Sequence, residues 1–270
     1  MEGLRRIVAP NASALTGEGT NTWVADLDRL AVVDPGPDDP RHLRAILAAL
    51  GGRPLAAILL THRHADHAAL APALARVTGA PVLAHGAGLE DGAEAGGLVA
   101  LHTPGHAPDH LCFRAPGAIL TGDHAMGWAS TLVAPPEGDM GAYMASLDRL
   151  LALPPLPLLP GHGPPVADGH ARLRALREHR RGREAALLAA LAGGPLSAEG
   201  AVARVHGRLE GGLGRAAALS LLAHLLDLRA RGVVAGEGDG VGDPFRLLRP
   251  LDAAPPRCYP PRRWSGVAQR

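Results

Sequence analysis

The chain has 270 residues, and its 27 basic and 26 acidic residues give a formal net charge of +1. Hydrophobic residues make up 47% of the sequence, which suffices for a buried core and excludes a wholly disordered chain. The nearly neutral charge argues against a strongly cationic nucleic-acid-binding protein. Two cysteines do not make a disulfide scaffold, and no uncharged apolar run reaches the ~18 residues of a membrane-spanning helix. Because the N-terminus also lacks an apolar signal core, we expect a cytoplasmic protein without membrane contact.

Short strand-like runs alternate with helical ones through the first half of the chain. The pattern predicts helices at 40–50, 66–78 and 141–153, and strands at 23–26, 30–34, 56–60, 81–84, 98–102, 111–114 and 118–121. The apolar run at 56–60 is too short for a typical helix and is predicted to be a buried strand. Strands punctuated by helices without strict βαβ repetition predict a layered α/β sandwich.

The pattern changes at residue 168. From there it predicts a long helix to about Leu191, a Gly-Gly-Pro break, helices at 196–206 and 214–230, and two strand-like pieces around a Gly-rich turn at 236–242. Two helices followed by a hairpin are the order expected of a winged-helix module. We predict a main domain at 1–192, a winged-helix-like domain at 193–251 and a loosely ordered tail rich in Pro and Arg at 252–270. The second domain is expected to pack over the mouth of the active site, with a homodimer face as the alternative.

The residues that carry chemistry begin directly after the predicted buried strand, in the segment Thr61-His62-Arg63-His64-Ala65-Asp66-His67. Side chains at the end of a strand stand on a rigid base and point into a loop. His62 and His64 flank one residue, so both can point towards one metal. Asp66 and His67 are offset towards a second metal. Neutral imidazoles and a carboxylate are the ligands expected for catalytic zinc, so the segment predicts a metal site rather than a polar surface loop.

Three later segments each place one further candidate ligand just past a predicted strand. They are Leu101-His102-Thr103-Pro104-Gly105-His106, Ile119-Leu120-Thr121-Gly122-Asp123 and Leu158-Leu159-Pro160-Gly161-His162-Gly163. Each is weak alone, because a single His or Asp at a strand end is more often a turn or capping residue. Together with the first cluster, His106, Asp123 and His162 complete a set of ligands for two metals.

The ordered motifs THRHADH, TPGH, TGD and PGHG closely resemble those of the metallo-β-lactamase-fold hydrolase superfamily, over roughly residues 5–190. The resemblance implies an αββα sandwich as the catalytic domain and two Zn²⁺ ions per chain. It implies that the first zinc is bound by His62, His64 and His106, that the second is bound by Asp66, His67 and His162, and that Asp123 bridges the two. It also places Asp34 behind the ligands, where a hydrogen-bonding residue orients them.

Further motifs resemble the lactamase-beta-2-like branch of this superfamily, which carries a C-terminal winged-helix-like domain. They are Thr16-Gly17-Glu18-Gly19-Thr20-Asn21-Thr22, the Pro-Gly-His-Gly-Pro turn and His179-Arg180-Arg181-Gly182-Arg183-Glu184. The branch includes an endoribonuclease acting on single-stranded RNA and thioesterases of polyketide synthesis. The segment Gly17-Glu18-Gly19 is not interpreted as a nucleotide loop, because it lacks a third glycine and a strand-to-helix setting.

The resemblance implies a dinuclear zinc hydrolase in which a hydroxide bridging the metals attacks a carbonyl or phosphorus. Asp66 is expected to orient that hydroxide or to accept its proton. We expect a carboxylic ester, thioester or lactone as substrate, since a small molecule needs no extended basic track. Single-stranded RNA is the alternative, favoured by the arginines between 172 and 183. The candidate substrate-binding residues are Trp128, Arg180 and Arg183.

Two interpretations from other classes remain open. Imidazole and carboxylate ligands suit iron and other divalent metals as well as zinc, so an iron oxygenase or diiron oxidoreductase of the same fold is one. A binding module without catalysis is the other, although no ligand of the set is missing. True β-lactamase activity is disfavoured, because the sequence shows no export signal. Cys112 lies in a predicted strand and is expected to be an inert core thiol.

Overall fold

The computed structural model describes residues 2–209 and 212–248. Its strands are β1 (Leu4–Val8), β2 (Asn21–Asp26), β3 (Leu30–Val33), β4 (Ala57–Leu59), β5 (Val82–His85), β6 (Gly88–Leu89), β7 (Glu94–Ala95), β8 (Leu98–His102), β9 (Leu111–Ala115), β10 (Ala118–Gly122), β11 (Leu158–Pro160), β12 (Leu196–Ser197), β13 (Val234–Ala235) and β14 (Pro244–Leu247). Its helices are α1 (Pro40–Leu50), α2 (Ala65–Ala68), α3 (Ala71–Thr78), α4 (Met140–Leu151), α5 (Gly169–Leu191), α6 (Ala198–His206) and α7 (Leu213–Ala230). No helix in this described part of the chain has the length and apolar character needed to cross a membrane.

Two sheets face each other across the main hydrophobic core. One has the strand order β1-β2-β3-β4-β5-β6, and the other has the order β11-β10-β9-β8-β7. Successive side chains of a strand point to opposite faces. On β9, Leu111 and Phe113 therefore point into the core between the sheets, whereas Cys112 packs on the outer face. In the first sheet, Val33 likewise points into the core between the sheets, and Val32 packs on the outer face. Both sheets are therefore apolar on both faces, so each needs a helical layer on its outside.

Those outer layers are supplied by four helices. Ile46 of α1 and Leu74 of α3 pack on the first sheet. Leu147 of α4 and Leu173 of α5 pack on the second. The order of layers is helix, sheet, sheet, helix, which confirms the predicted αββα sandwich.

Capping residues explain where the helices begin. Asp39 starts α1 by accepting a hydrogen bond from the backbone N–H of Arg41, and Gly51 ends it in a left-handed conformation at φ 61°. Asp139, Asp168 and Ser197 accept backbone N–H groups at the starts of α4, α5 and α6 in the same way. Each of these residues is a sequence signal, which is why the helices lie close to their predicted positions.

Two predicted helices were wrong in detail. The single helix predicted at 66–78 is two helices, α2 and α3, separated at Leu70. Pro72 lies in the first turn of α3, where its missing N–H costs nothing, and it could not continue an earlier helix. The helix predicted at 196–206 starts two residues later, because Leu196 and Ser197 pair with β14 instead.

The C-terminal elements form a smaller unit with its own core. A sheet of order β12-β14-β13 packs with α6 and α7, around residues that include Val205, Leu225 and Phe245. Leu187 and Leu191 at the end of α5 belong to this core, while the start of α5 belongs to the sandwich. One helix therefore joins the two units. The winged-helix assignment and the boundary after residue 192 stay predictions, and the predicted tail at 252–270 lies outside the described residues.

Candidate metal centre

The predicted ligands meet at one edge of the sandwich, where strands end. His62 and His64 follow β4, Asp66 and His67 lie in α2, His106 follows β8, Asp123 follows β10, and His162 follows β11. The loops are joined by backbone hydrogen bonds, such as the one that Gly161 donates to the carbonyl of Gly122. The structure brings all seven predicted ligands together in one centre.

Three histidines form the first group. His62 Nε2 and His106 Nε2 each lie 3.0 Å from His64 Nδ1. Zinc–nitrogen bonds of about 2.0–2.1 Å in a tetrahedral arrangement separate two nitrogen ligands by about 3.3 Å. The spacing of these ring nitrogens therefore suits a single metal ion.

The second group combines two histidines with a carboxylate. His67 Nε2 lies 3.3 Å from His162 Nε2, and Asp66 Oδ2 lies 3.3 Å from the same His162 atom. Asp123 lies between the groups. Its Oδ1 is 3.3 Å from the Nε2 atoms of both His67 and His162, and its Oδ2 is 3.7 Å from His106 Nε2. One carboxylate thus faces both groups, as a bridging ligand must.

Hydrogen bonds on the far side of three rings determine which nitrogen faces the centre. His67 Nδ1–H donates to Asp34 Oδ2 at 2.8 Å, and His106 Nδ1–H donates to the Leu132 carbonyl at 2.8 Å. His162 Nδ1–H donates to the Gly19 carbonyl at 3.3 Å. Because carboxylate and carbonyl oxygens only accept, the proton sits on Nδ1 and the Nε2 lone pair points inward.

Hydrogen bonds also fix the orientation of the remaining two rings, those of His62 and His64, but with different partners. Thr61 Oγ1 donates to Asp34 Oδ2 at 2.7 Å, so it accepts the hydrogen bond from His62 Nδ1–H at 2.9 Å. His64 is turned the other way, since its Nε2–H donates to Glu137 Oε2 at 3.2 Å and leaves Nδ1 free. In their neutral forms, as a bound metal would require, all five histidines therefore present a lone pair to the centre. Such outer hydrogen bonds fix ring orientation and raise ligand basicity.

Asp34 accepts several of the hydrogen bonds that orient the candidate ligands. It is 2% exposed, and it accepts hydrogen bonds from the backbone N–H and the hydroxyl of Thr61 and from His67. Its backbone lies at φ 49°, in the left-handed region that few non-glycine residues adopt. Asp34 therefore ties a ligand of the second group to the strand end that carries the first group.

The charged groups of the centre shift one another's pKa values. Burial opposes a charge on Asp123, but attraction to His67 and His162 holds the pKa of its carboxyl well below the usual range. Burial likewise opposes a charge on His162, yet Asp123 and Asp66 raise its pKa to about 9. The centre therefore contains buried negative charge that favours a nearby cation.

The residues present fit a divalent metal. Asp123 Oδ1 is buried and accepts no hydrogen bond from the described residues. An anionic oxygen in that situation is costly unless a cation binds it. Imidazole nitrogens and carboxylates are the ligands that zinc and iron take in proteins.

The centre opens into a cavity of ≈ 540 Å³. Apolar side chains from both units of the fold line it: Leu15, Met126, Trp128, Leu132, Leu209, Leu213 and Leu221. Two of these, Leu213 and Leu221, belong to α7. The C-terminal unit thus packs over the active-site mouth, which is the arrangement expected from the sequence.

Trp128, a predicted substrate-binding residue, lies in the wall of this cavity and is 46% exposed. Its indole packs on two glycines. A Cβ atom added to Gly163 would lie 2.5 Å from Trp128 Cδ1, and one added to Gly17 would lie 3.5 Å from the ring. The segment Gly17-Glu18-Gly19 therefore makes room for Trp128 and supplies the carbonyl that binds His162.

Arg180 and Arg183, the other predicted substrate-binding residues, also line the cavity and are tied into the fold. Arg180 is 3% exposed, donates a hydrogen bond to the Thr131 carbonyl and lies over the ring of Tyr143. Arg183 donates to the Val205 carbonyl at 2.7 Å.

Three neighbouring arginines of α5 have partners too. Arg172 donates to the carbonyls of Met126 and Ala129, Arg177 pairs with Asp148, and Arg181 pairs with Glu178. An RNA-binding surface needs guanidinium groups that are free to reach phosphates. These contacts therefore do not favour the RNA alternative.

Sequence reasoning missed several groups that hydrogen-bond to the candidate ligands. Glu137 binds His64, the Gly19 carbonyl binds His162, and Thr131 lies with its hydroxyl 3.1 Å from His106 Nδ1. Glu137 and Thr131 belong to none of the quoted motifs. The TGEGTN segment was noticed for its resemblance, but nothing in it indicates a hydrogen bond to a distant histidine.

Cys112 is fully buried, and burial raises the pKa of its thiol to about 12. The Thr103 hydroxyl donates a hydrogen bond to its sulfur at 3.2 Å. Such a thiol is unreactive, as expected from the sequence. Cys258 lies outside the described residues.

The arrangement of ligands agrees with a comparison of the whole sequence against protein families. The model of the Metallo-beta-lactamase superfamily matches residues 15–96 and 85–162. The chain belongs to the metallo-beta-lactamase superfamily. The matched range contains Asp34 and all seven predicted ligands, and it covers more than half of the chain.

Solved structures of similar proteins agree with this assignment. A metallo-beta-lactamase family protein from Thermus thermophilus superimposes with a TM-score of 0.75 and is 26% identical, over 92% of this chain and 99% of that one. A protein solved in a di-iron-bound form is 30% identical, with a TM-score of 0.53 over 63% of this chain and 98% of that one. The first of these extends over both units of the fold.

Curated relatives of this superfamily member include a named enzyme. Atrochrysone carboxyl ACP thioesterase of Claviceps purpurea (strain 20.1) is 30% identical in an alignment 205 positions long that covers 69% of this chain and 64% of that protein. Other relatives, from Aspergillus niger and Emericella nidulans, bear the name lactamase-like protein. The chain spans just under two thirds of the length of these relatives.

Proposed function

We propose that this superfamily member is a dinuclear metal-dependent hydrolase of small carboxylic thioesters or esters, with zinc as the metal. The observation that carries the proposal is the opening of the centre into a largely apolar cavity of ≈ 540 Å³. That volume is typical of sites for small molecules. In this proposal the C-terminal unit, which we interpret as winged-helix-like, closes the substrate cavity.

Each side chain of the centre has a role in the proposed reaction. His62, His64 and His106 would hold one metal, Asp66, His67 and His162 would hold the other, and Asp123 would bridge them. When bound, the metals supply a water activated for attack at neutral pH and polarise the substrate oxygen. Asp66 Oδ2 lies 3.3 Å from His162 Nε2, and the side chain of Asp66 is 34% exposed and lines the cavity. We propose that Asp66 also orients the attacking water and accepts its proton.

The chemistry of the leaving group supports a thioester. Hydrolysis breaks the bond between the carbonyl carbon and sulfur, adds water, and yields a carboxylic acid and a thiol. A thiol with a pKa near 8.5 can leave as a thiolate, so no residue is needed to protonate it. The relative named as an ACP thioesterase supports the same class of substrate. For single-stranded RNA, the alternative from the sequence, α5 offers no extended row of free arginines, because Arg172, Arg177 and Arg181 already have partners.

The test combines metal analysis with activity on one preparation. The purified full chain is analysed for bound metals by mass spectrometry, then assayed with an acyl thioester of N-acetylcysteamine, a lactone and a labelled single-stranded RNA. We expect about two zinc ions per chain and thioester hydrolysis. His64→Ala and Asp123→Ala should lower the rate at least 100-fold, because each removes a metal ligand.

Two matched variants control for general damage. His85→Ala removes a histidine that stacks on His102 away from the centre, and Asp148→Ala removes an aspartate paired with Arg177. Both should keep the rate of the wild type. Metal-dependent cleavage of RNA without thioester turnover would overturn the proposal in favour of a nuclease, and bound iron with redox activity would overturn it in favour of an oxidoreductase.

A further inference from the structure

A group of basic side chains forms one wall of the cavity that the metal centre opens into. We call it the basic wall, and it consists of His179, Arg180, Arg183, His206 and His224. These residues come from α5, α6 and α7, whereas the metal ligands come from strand ends and α2. The basic wall is therefore a separate feature of the same cavity.

Several polar atoms of the basic wall are buried without a hydrogen-bond partner in the described part of the chain. His224 is 1% exposed, and neither of its ring nitrogens is bonded there. The same holds for His206 Nε2 and Arg180 Nε. Buried donors and acceptors without partners cost stability, so their position beside a cavity points to a binding site for a polar group.

The positive charge of the basic wall indicates that the group bound there is negatively charged. Arg180 and Arg183 are cations, and the acidic side chains that line the cavity, Asp66 and Asp123, belong to the metal centre. The acidic groups behind the wall are already paired, since Asp227 and Glu184 both accept hydrogen bonds from Arg231. Within the described residues, neither guanidinium group therefore forms an ion pair with a carboxylate of this wall.

The imidazoles add neutral donors to the two cations. Burial, and then the charge of Arg180, lowers the pKa of His224 to about 3. Burial and neighbouring arginines also lower the pKa values of His179 and His206. Uncharged imidazole N–H groups beside guanidinium groups are suited to bind an anionic oxygen, because they donate hydrogen bonds without adding repulsion.

We propose that the basic wall is a subsite for an anionic oxygen group, a carboxylate or a phosphate, carried by the substrate away from the bond that is hydrolysed. The subsite adjoins the metal centre, since Arg180 binds the carbonyl of Thr131 and Thr131 contacts His106. Apolar residues such as Leu213 and Leu221 line the same cavity and suit the carbon chain of such a substrate. This proposal rests on the proposed hydrolase function.

The kinetic test uses three thioesters that differ in charge. Hexanoyl-N-acetylcysteamine is uncharged, the adipoyl monothioester ends in a carboxylate on the acyl side, and hexanoyl-phosphopantetheine carries a phosphate on the thiol side. We expect the wild type to prefer at least one charged thioester over the uncharged one about tenfold in kcat/KM. A preference for the adipoyl compound places the anion on the acyl chain, and a preference for the phosphorylated one places it on the thiol arm. Either supports the proposal.

Two variants and one control test whether the basic wall causes this preference for a charged thioester. Arg183→Gln removes a charge of the basic wall, and His224→Leu removes an imidazole while keeping a side chain of similar size. Both should reduce the preference to about twofold or less. Arg181→Gln, on the same helix but paired with Glu178 outside the cavity, should retain it. A wild type without preference, or a preference that survives Arg183→Gln, overturns the proposal.

A binding measurement separates this proposal from the hydrolase proposal. Adipate is titrated into the full chain by calorimetry, so that no turnover is required. We expect Arg183→Gln to weaken adipate binding about tenfold and Arg181→Gln to leave it unchanged. If the thioesters are not hydrolysed but this difference is found, the hydrolase proposal fails and the subsite stands. If adipate binds equally to the wild type and Arg183→Gln, the subsite fails regardless of activity.

Discussion

His67 donates a hydrogen bond of 2.8 Å to Asp34, and the carboxylate of Asp34 also holds both the backbone N–H and the hydroxyl of Thr61. Through Thr61 the same contacts reach His62. A single buried aspartate therefore orients one ligand of each group. Its backbone at φ 49° shows that the chain accepts a rarely occupied conformation to place that side chain.

We expect Asp34→Asn to weaken metal binding about 10–100-fold, the usual effect of losing such a supporting residue. Asparagine tolerates the left-handed backbone, but its amide has one acceptor oxygen where the carboxylate has two. Competition with a chromogenic chelator measures the affinity. Asp38→Asn, in the same loop, is the control and should match the wild type. Equal affinities in the two variants would show that Asp34 does not support the ligands.

Removal of metal should lower the thermal midpoint of unfolding by about 10 °C. Binding to the folded state alone stabilises it by about 4 kcal/mol when the metal is at 1,000 times its Kd, and about 2–4 °C accompany each kcal/mol in a chain of this size. Thermal unfolding is followed before and after EDTA, and again after Zn²⁺ is restored. Asp123→Ala should respond much less, because the bridging ligand is missing. An unchanged midpoint in the wild type would count against metal binding at this centre.

Gly163→Ala should lower kcat/KM at least tenfold and shift tryptophan fluorescence. The new Cβ would lie 2.5 Å from Trp128, at a backbone φ of 80° that also strains any side chain. Either Trp128 or the turn that carries His162 must move. Gly117→Ala is the matched control, because Gly117 has the same φ of 80° with no atom within 4 Å of a new Cβ. It should cost about 1 kcal/mol of stability from backbone strain alone and leave activity intact. Similar activities in both variants would contradict this interpretation of the Trp128 contact.

The stability of the chain should depend on pH through His224. Burial, and then Arg180, lowers the pKa of its imidazole from 6.5 to about 3 in the folded chain. Between these pH values the unfolded chain binds a proton that the folded chain does not, so stability falls as the pH falls. The charged and titratable groups facing His224 are basic: Arg180 and His179 from α5, His206 from α6, and Arg231 after α7.

His224→Leu removes this dependence without creating a charge. From pH 7 to pH 5 the wild type should lose about 2 kcal/mol more of its unfolding free energy than the variant, as measured by urea denaturation. At pH 7 the variant should be more stable by about 1 kcal/mol, since it no longer buries unpaired ring nitrogens. An identical pH dependence in both proteins would mean that the folded imidazole gains a proton as easily as the unfolded one.

The layered fold, and the strand ends at which the seven candidate ligands come together, could be predicted from the sequence because their signals are local. A short apolar run followed at once by histidine or aspartate marks a strand end, as at His62, Asp123 and His162. Helix starts were close to prediction because Asp39 and Asp139 cap them within the same turn. The break between α2 and α3 was missed, because the apolar pattern of the sequence continues across Leu70 although the helix is interrupted there.

What the sequence by itself determined is the set of candidate ligands and the layered scaffold that carries them, because each signal spans only a few neighbouring residues. Only the tertiary structure decided which groups orient those ligands and what the cavity contains. Glu137 is 73 residues from His64, and Gly19 is 143 residues from His162. Five of the six arginines of α5 contact other protein groups, and residues of α7 line the cavity beside the centre. Such contacts depend on how distant elements pack, and a hydrogen bond to a backbone carbonyl requires no particular side chain at the accepting residue.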